Sequence, residues 1–111
     1  MLIREIPASE LKSRLHGEGI HLVTGAITVH LHIDLPQLID EFSSIYADYP
    51  LDDPPGIDDA RVRIAARSWL HRYVIPQASA WVNGETPFDP VPAERAYTLL
   101  ESALNWAVAS D

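Results

Sequence analysis

The segment "ITVHLHI", residues 27 to 33, constrains the fold more than any other part of the chain. Its apolar residues alternate one by one with the polar residues Thr28, His30 and His32. Because successive side chains of a strand point to opposite faces of a sheet, this alternation predicts a strand with one buried face and one solvated face. The preceding segment, "GIHLVTG", is typical of a partner strand, and Gly25 supplies the turn of a β-hairpin.

The order of the predicted elements indicates the fold class. Helical segments begin near residues 7, 34 and 92, and strand segments lie at residues 20 to 33, at 60 to 67 and within 73 to 84. The resulting order is α-β-β-α-β-β(-β)-α, with one strand optional. Since it lacks the regular βαβ alternation of a parallel sheet, we predict a single α+β domain over residues 1 to 111, with a mainly antiparallel sheet and helices packed on one side.

The second helix is predicted in "DLPQLIDEFSSIYADY". Asp34 is the candidate N-cap, and the proline two residues later suits a first helical turn. Leu38, Phe42, Ile45 and Tyr49 follow helical spacing and are predicted to face the core.

Composition excludes several classes of protein. The chain has 111 residues and no cysteine, which excludes disulfides, thiolate catalysis and thiolate metal sites and indicates a reducing cytoplasm. Its formal net charge is −8, from 16 acidic and 8 basic residues, and this balance argues against binding to a phosphate backbone. No apolar run approaches the length of a membrane span. We therefore expect a cytoplasmic protein without nucleic-acid or membrane partners.

Histidines at three positions raise the question of a metal site. His21 on the first hairpin strand, with His30 and His32 on the second, would place three imidazoles on one face of the sheet, a suitable geometry for a divalent metal. These strands carry no carboxylate at a convincing fourth position, and alternation alone puts polar residues there. The simpler interpretation is a solvated polar face without a metal, and the metal site stays the alternative.

Half of the basic charge lies at Arg61, Arg63, Arg67 and Arg72. Guanidinium groups two residues apart on a strand point the same way and can bind a phosphate group or an acidic peptide. The competing and preferred interpretation is that they neutralise the aspartate-rich segment just before them, because charge clusters are usually solvated. Contact with an acidic ligand is the functional alternative.

The acidic stretch "YADYPLDDPPGIDD", which begins at residue 46, contains five aspartates and three prolines. A calcium loop needs oxygen ligands at alternating positions and a closing glutamate, and this stretch has neither. Its prolines also lack a backbone N–H and so interrupt regular hydrogen bonding. We predict a stiff surface connection and not a binding site.

No catalytic motif is recognised in the sequence. A phosphate-binding loop requires lysine after glycine in GxxxxGK[ST], whereas the only Lys-Ser pair, Lys12-Ser13, follows Leu11. There is also no nucleophile elbow and no outstanding pair of glutamates. We therefore predict no catalytic residue in this chain and no nucleotide bound by a phosphate loop.

Several segments resemble the N-terminal region of the bacterial HprK-related kinase A family. They are "ELKSRLHGEGIHLVTGAITVHLHIDLPQL", "IYADYPL", "IPQASAWVNGETPFDPVP" and "AYTLLESALNWAVA", which follow the family's order and cover most of the chain. The most distinctive parts are "YADYPL" from residue 46, "NGETPF" from residue 83 and "LNW" from residue 104.

The resemblance implies a function for the domain. In that family this region precedes a domain related to HPr kinase/phosphorylase, in which a P-loop binds ATP with magnesium and a serine is phosphorylated. The chain would then be a non-catalytic accessory domain, without a cofactor of its own, that docks a peptide or protein substrate or mediates assembly. The alternative is a stand-alone small binding protein of the cytosol, with the histidine-lined face as a metal site.

The end of the last helix is the predicted junction with such a kinase domain. Its final residues, "NWAVA", are still apolar and have no glycine cap, which indicates that further chain normally follows. Leu104, Trp106 and Val108 are the candidate interface. We expect this apolar patch to contact the kinase domain of the same chain or, in the isolated domain, a second copy.

Overall fold

The computed structural model of the protein describes residues 1 to 25, 27 to 52, 56 to 66 and 77 to 110. The strands are β1 (Ile20–Thr24), β2 (Ile27–Asp34), β3 (Ala60–Ala66), β4 (Gln77–Val82) and β5 (Val91–Pro92). The helices are α1 (Ala8–His16), α2 (Pro36–Ile45) and α3 (Ala96–Ser110), with short 3₁₀ turns at Ile3–Glu5 and Ala93–Arg95. The predicted α+β class and order of elements are confirmed. Within the described ranges, no helix has the length and apolar character needed to cross a membrane.

The five strands form one open sheet in the order β1-β2-β3-β4-β5. The neighbours are antiparallel except for β2 and β3, which are parallel. The parallel pair requires a crossover, and α2 provides it by returning the chain from the end of β2 toward the start of β3. The sheet is thus mainly antiparallel, as predicted, around one parallel pair that the sequence pattern did not indicate.

One face of the sheet is apolar and packs against the helices. A row formed by Ile20, Leu31, Val62 and Val82 crosses four strands, and each of these side chains is at most 3% exposed. Helix α2 lies between α1 and α3 and contacts both. The hydrophobic core therefore lies between this sheet face and the layer of helices.

Phe42 anchors α2 in that core. It is fully buried and stacks on Tyr46, with 5.1 Å between ring centroids. The predictions for Ile45 and Tyr49 are wrong, because these side chains are 50% and 39% exposed, while Ile39 is buried. The buried row follows i, i+4 spacing from Leu38 through Phe42 to Tyr46, and this spacing turns Ile45 outward.

Asp34 ends β2 and does not cap α2. It pairs with Ala65 in the parallel ladder, and the residue before the helix is Leu35, which forms no side-chain cap. The predicted capping role is therefore wrong. Its carboxylate is instead available to side chains on the polar side of the sheet.

Burial raises the pKa of Tyr46 to about 12, and the nearby Tyr97 adds to the shift. The unfolded chain releases this proton near pH 10, whereas the folded state keeps it to a higher pH. The stability from this group is therefore complete below about pH 10 and is lost as the pH rises toward 12. We expect Tyr46→Phe to lose less stability over that interval than the wild type in urea unfolding. Parallel losses in the two proteins would contradict this expectation.

The acidic stretch is tied to the sheet by its backbone. Leu51 bridges Leu22 on the outer edge of β1, and the Asp52 N–H donates to the His21 carbonyl at 2.9 Å. Farther along, the Asp59 N–H donates to the Thr28 carbonyl at 2.8 Å. The connection therefore runs from the edge of β1 to the start of β3, which brings its last aspartates close to the polar side of the sheet.

Asn83 and Gly84 form a tight turn after β4. Both have positive φ angles, 52° and 85°, and Val82 and Glu85 exchange backbone hydrogen bonds across them. Such angles are typical of a two-residue Asn-Gly turn. The Asn83 side chain also accepts a hydrogen bond from the Arg61 N–H at 2.8 Å, which fastens the turn beside β3.

Candidate functional site on the open sheet face

The side of the sheet opposite the helices, named the open face, is polar. Its side chains form two rows across the strands, one with His21, His30 and Arg61 and the next with His32, Arg63 and Trp81. Residues in register on neighbouring strands project to the same face, so the alternation in each strand brings these groups together. The three candidate histidines and two of the four candidate arginines therefore share one surface. Arg67 and Arg72 lie outside the described residues.

The imidazoles of the open face contact one another. The rings of His21 and His30 are stacked, with 4.5 Å between centroids, and His32 lies 4.6 Å from His30 at a tilt of 51°. The sequence thus predicted their shared face. Whether they hold a metal is a separate question that depends on the other ligands within reach.

Asp58 brings a carboxylate to two of these histidines. Its Oδ1 lies 2.7 Å from His21 Nδ1, and its Oδ2 lies 4.0 Å from His30 Nδ1. All three side chains are about one fifth exposed or less. Asp58 was not a candidate by sequence, because it comes from the acidic connection and not from the strands that carry the histidines. Among the described residues, His21, His30 and Asp58 form a group with ligand atoms within 4.8 Å of one another.

The two nitrogens of His30 have different surroundings. Nε2 lies 2.7 Å from the carbonyl oxygen of Glu18, and because a carbonyl can only accept, Nε2 carries the proton. In the neutral ring, Nδ1 then holds a lone pair. That atom is buried and has no hydrogen-bond partner. It faces Asp58 at a distance too long for a hydrogen bond.

His32 belongs to a different environment. Burial, together with the neighbouring His30, lowers the pKa of His32, while a hydrogen bond to the backbone of Gly17 opposes the shift. The turn that follows Gly17 passes close over the rings, because a Cβ on Gly19 would lie 2.9 Å from the Nε2 atoms of both His30 and His32. His32 is therefore held by the α1–β1 turn, and it contacts His30 without belonging to the group with Asp58.

Arg63 pairs with Asp34, the aspartate that the sequence had suggested as a helix cap. Its guanidinium lies 3.4 Å from the Asp34 carboxylate and 5.1 Å from the centre of the Trp81 ring. His16 contacts the same carboxylate at 2.8 Å. Arg63 thus neutralises an aspartate of β2 and not, as predicted, one of the preceding acidic stretch. Arg61 is also exposed, one row away.

A polar recess lies beside these rows at the start of β3. It has a volume of about 380 Å³ and is lined by Asp58, Asp59, Ala60, Arg61 and Asn83. The Asp59 carboxylate is engaged there by the Thr28 N–H at 2.8 Å. The recess therefore combines two carboxylates and a guanidinium next to the histidine group.

The candidate interface on α3 is only partly exposed. Leu104 is 4% exposed and belongs to the core, which corrects its assignment to the apolar patch. Trp106 and Val108 are 48% and 44% exposed. Phe88 packs against Trp106 edge to face, with 5.8 Å between centroids. Leu104 turns inward because it continues the buried row of Leu100 and Ala107 on the helix face toward the sheet.

The fold defines a small α+β domain whose sheet, over the described residues, is apolar on one face and polar on the other, where two arginines are exposed. Comparisons of the chain with protein-family models, with curated proteins and with solved structures found no match.

Proposed function

We propose that this chain is a non-catalytic binding domain whose open face docks an acidic peptide or protein segment. The observation that carries the proposal is the placement of Arg61 and Arg63 on the exposed side of a central strand. Their side chains leave the same face two residues apart. A carboxylate-bearing chain laid along the sheet can meet both.

The chemistry of this surface favours an acidic partner. Guanidinium groups form charge-assisted, bidentate hydrogen bonds with carboxylates, and these are stronger than neutral hydrogen bonds. Trp81 supports Arg63 from one side through a cation–π contact, which orients the guanidinium. An acidic peptide would replace or share the Asp34 carboxylate, whose pair with Arg63 is half exposed and of low energetic value.

We further propose that the domain is the N-terminal accessory part of an HPr-kinase-related serine kinase. The support is the set of segments that resemble that family, among them "YADYPL", "NGETPF" and "LNW". The kinase domain, with its ATP and magnesium, would follow in the same chain and contact α3 near Trp106 and Val108. Sequencing the source gene beyond the codon for Asp111 tests this parentage. A frame that continues into GxxxxGK[ST] supports it, and an immediate stop codon contradicts it.

Peptide docking is tested with hexaglutamate as the probe. We expect Arg61→Gln combined with Arg63→Gln to weaken its binding at low salt at least about tenfold, because hydrogen bonds to charged groups are worth roughly 1.5 to 3 kcal/mol each. Isothermal titration calorimetry measures the effect.

The control is Arg95→Gln, which removes one positive charge at an exposed position in the 3₁₀ turn before α3, outside the two rows of the open face. We expect it to change the affinity less than about twofold, as long-range charge effects are screened. If Arg95→Gln weakens binding as much as the open-face variant does, general charge and not the open face is responsible. If the wild type does not bind hexaglutamate, the docking proposal is wrong.

A further inference from the structure

We propose that His21, His30 and Asp58 form a binding site for a divalent transition-metal ion of the zinc class. The site lies on the open face but does not depend on peptide docking. It differs from the three-histidine alternative of the sequence analysis, since a carboxylate from the acidic connection takes the place of His32.

The donor set fits an ion of this class. Two imidazoles and one carboxylate are ligands that Zn²⁺ and its first-row neighbours accept, whereas Mg²⁺ and Ca²⁺ prefer oxygen ligands alone. The three ligand atoms lie within 4.8 Å of one another. They come from β1, β2 and the connection to β3, so the ladder pairing of His21 with His30 and the backbone bonds of the connection hold them in place.

The orphaned nitrogen of His30 points to a missing ligand. Its Nδ1 is buried without a hydrogen-bond partner and lies 4.0 Å from Asp58 Oδ2. Both atoms present electron pairs to the same space when the ring is neutral. Zinc binds imidazole nitrogen at about 2.0 to 2.1 Å and carboxylate oxygen at about 2.0 to 2.2 Å, so one ion can span this gap.

The hydrogen bond on the other side of the His30 ring is typical of a metal ligand. Histidines that ligate a metal usually donate their other ring N–H to a carbonyl or carboxylate, which fixes the tautomer. The contact of 2.7 Å between His30 Nε2 and the Glu18 carbonyl is of this kind. Gly19 closes the turn over the same nitrogen, because any Cβ there would approach it to 2.9 Å. The ring is therefore held in the tautomer and orientation that leave Nδ1 free to bind a metal ion.

His21 completes the set with a local change. Its Nδ1 lies 2.7 Å from Asp58 Oδ1 and donates to it in the metal-free arrangement. When Nδ1 ligates the ion, the neutral ring carries its proton on Nε2 instead. A water molecule would then complete the four ligands that zinc prefers.

The test is calorimetric titration of the chelator-treated protein with ZnCl₂ and, separately, with MgCl₂. We expect one Zn²⁺ per chain, bound at least tenfold more tightly than Mg²⁺. His21→Gln, His30→Gln and Asp58→Asn should each weaken Zn²⁺ binding at least tenfold. Asp58→Asn preserves shape and a hydrogen-bond acceptor for His21, and circular dichroism checks that every variant is folded.

The matched controls remove histidines outside the group. His16→Gln and His32→Gln should change the Zn²⁺ affinity less than threefold, and the double arginine variant Arg61→Gln with Arg63→Gln should still bind Zn²⁺. Loss of binding in His32→Gln with retention in Asp58→Asn would overturn the assignment in favour of the three histidines. Failure of the wild type to bind Zn²⁺ would overturn the site altogether and leave peptide docking unaffected.

A second readout requires no variant. In long-range ¹H–¹⁵N spectra of the wild type, Zn²⁺ should shift His30 Nδ1 while Nε2 keeps its proton. Ligation through His30 Nε2, or no change at His30 under conditions where zinc is bound, would overturn the proposed geometry.

Discussion

Replacing Phe42 with alanine is expected to lower the free energy of unfolding by about 3 to 5 kcal/mol, the usual cost of removing a fully buried aromatic side chain. Phe42 is 0% exposed and stacks on Tyr46 where α2 meets the core. Domains of this size are stable by only about 5 to 15 kcal/mol, so the change removes a large share of the total. Urea unfolding followed by circular dichroism measures it, and the melting temperature should fall by roughly 10 °C or more.

Ile45→Ala provides the matched control for Phe42. Ile45 lies on the same helix but is 50% exposed, so its truncation should cost less than about 1 kcal/mol. If both variants lose the same stability, α2 does not pack on the sheet through the row that contains Phe42.

Replacing Gly19 with alanine should cost about 3 kcal/mol, since it combines backbone strain with a collision. The φ angle of Gly19 is +86°, and the new Cβ would lie 2.7 Å from the Leu31 carbonyl oxygen. The backbone of Leu31 cannot shift easily to relieve this collision, because Leu31 lies in the middle of β2. The same Cβ would press on His30 and His32, so the imidazole resonances of both rings should shift in ¹H–¹³C spectra.

Gly84→Ala separates the two causes of the Gly19 effect. Gly84 has nearly the same φ angle, +85°, but a methyl group added there would have no neighbouring atom within 4 Å. We expect only the cost of the left-handed conformation, about 1 to 2 kcal/mol, and unchanged histidine resonances. Equal losses in the two variants would show that the turn before β1 does not press on the open face.

Much of the fold could be predicted because its information is local. The alternation of residues 27 to 33 predicted a one-sided strand, and the observed β2 buries Ile27, Val29, Leu31 and Ile33. Gly25 has the positive φ angle that the hairpin turn requires. Each of these features depends on neighbours in sequence, which a pattern can express.

The parallel pairing of β2 and β3 could not be predicted in the same way. It joins residues about 30 positions apart, such as His32 with Arg63. A pattern shows which face of each strand is buried but not which strand lies beside it. The same limit explains Asp34, which looked like a helix cap by sequence and lies in the ladder opposite Ala65.

For a related reason, the histidines of the candidate site could be predicted but Asp58 could not. The period of two places His21, His30 and His32 on one face without any knowledge of strand order. Asp58 reaches them only because the connection from α2 pairs with the edge of β1 and then with Thr28. The sole local signal is its position two residues before β3, and the prolines nearby favoured a surface interpretation instead.

Two tryptophans distinguish the proposed docking of an acidic segment on the open face from docking on α3. The most direct test follows the indole N–H signals of Trp81 and Trp106 in ¹H–¹⁵N spectra during titration with hexaglutamate. Trp81 contacts Arg63 on the open face, whereas Trp106 lies on α3 against Phe88. We predict a saturable shift of the Trp81 signal and a constant Trp106 signal. A shift of Trp106 with Trp81 unchanged, or no shift of either, would contradict docking on the open face.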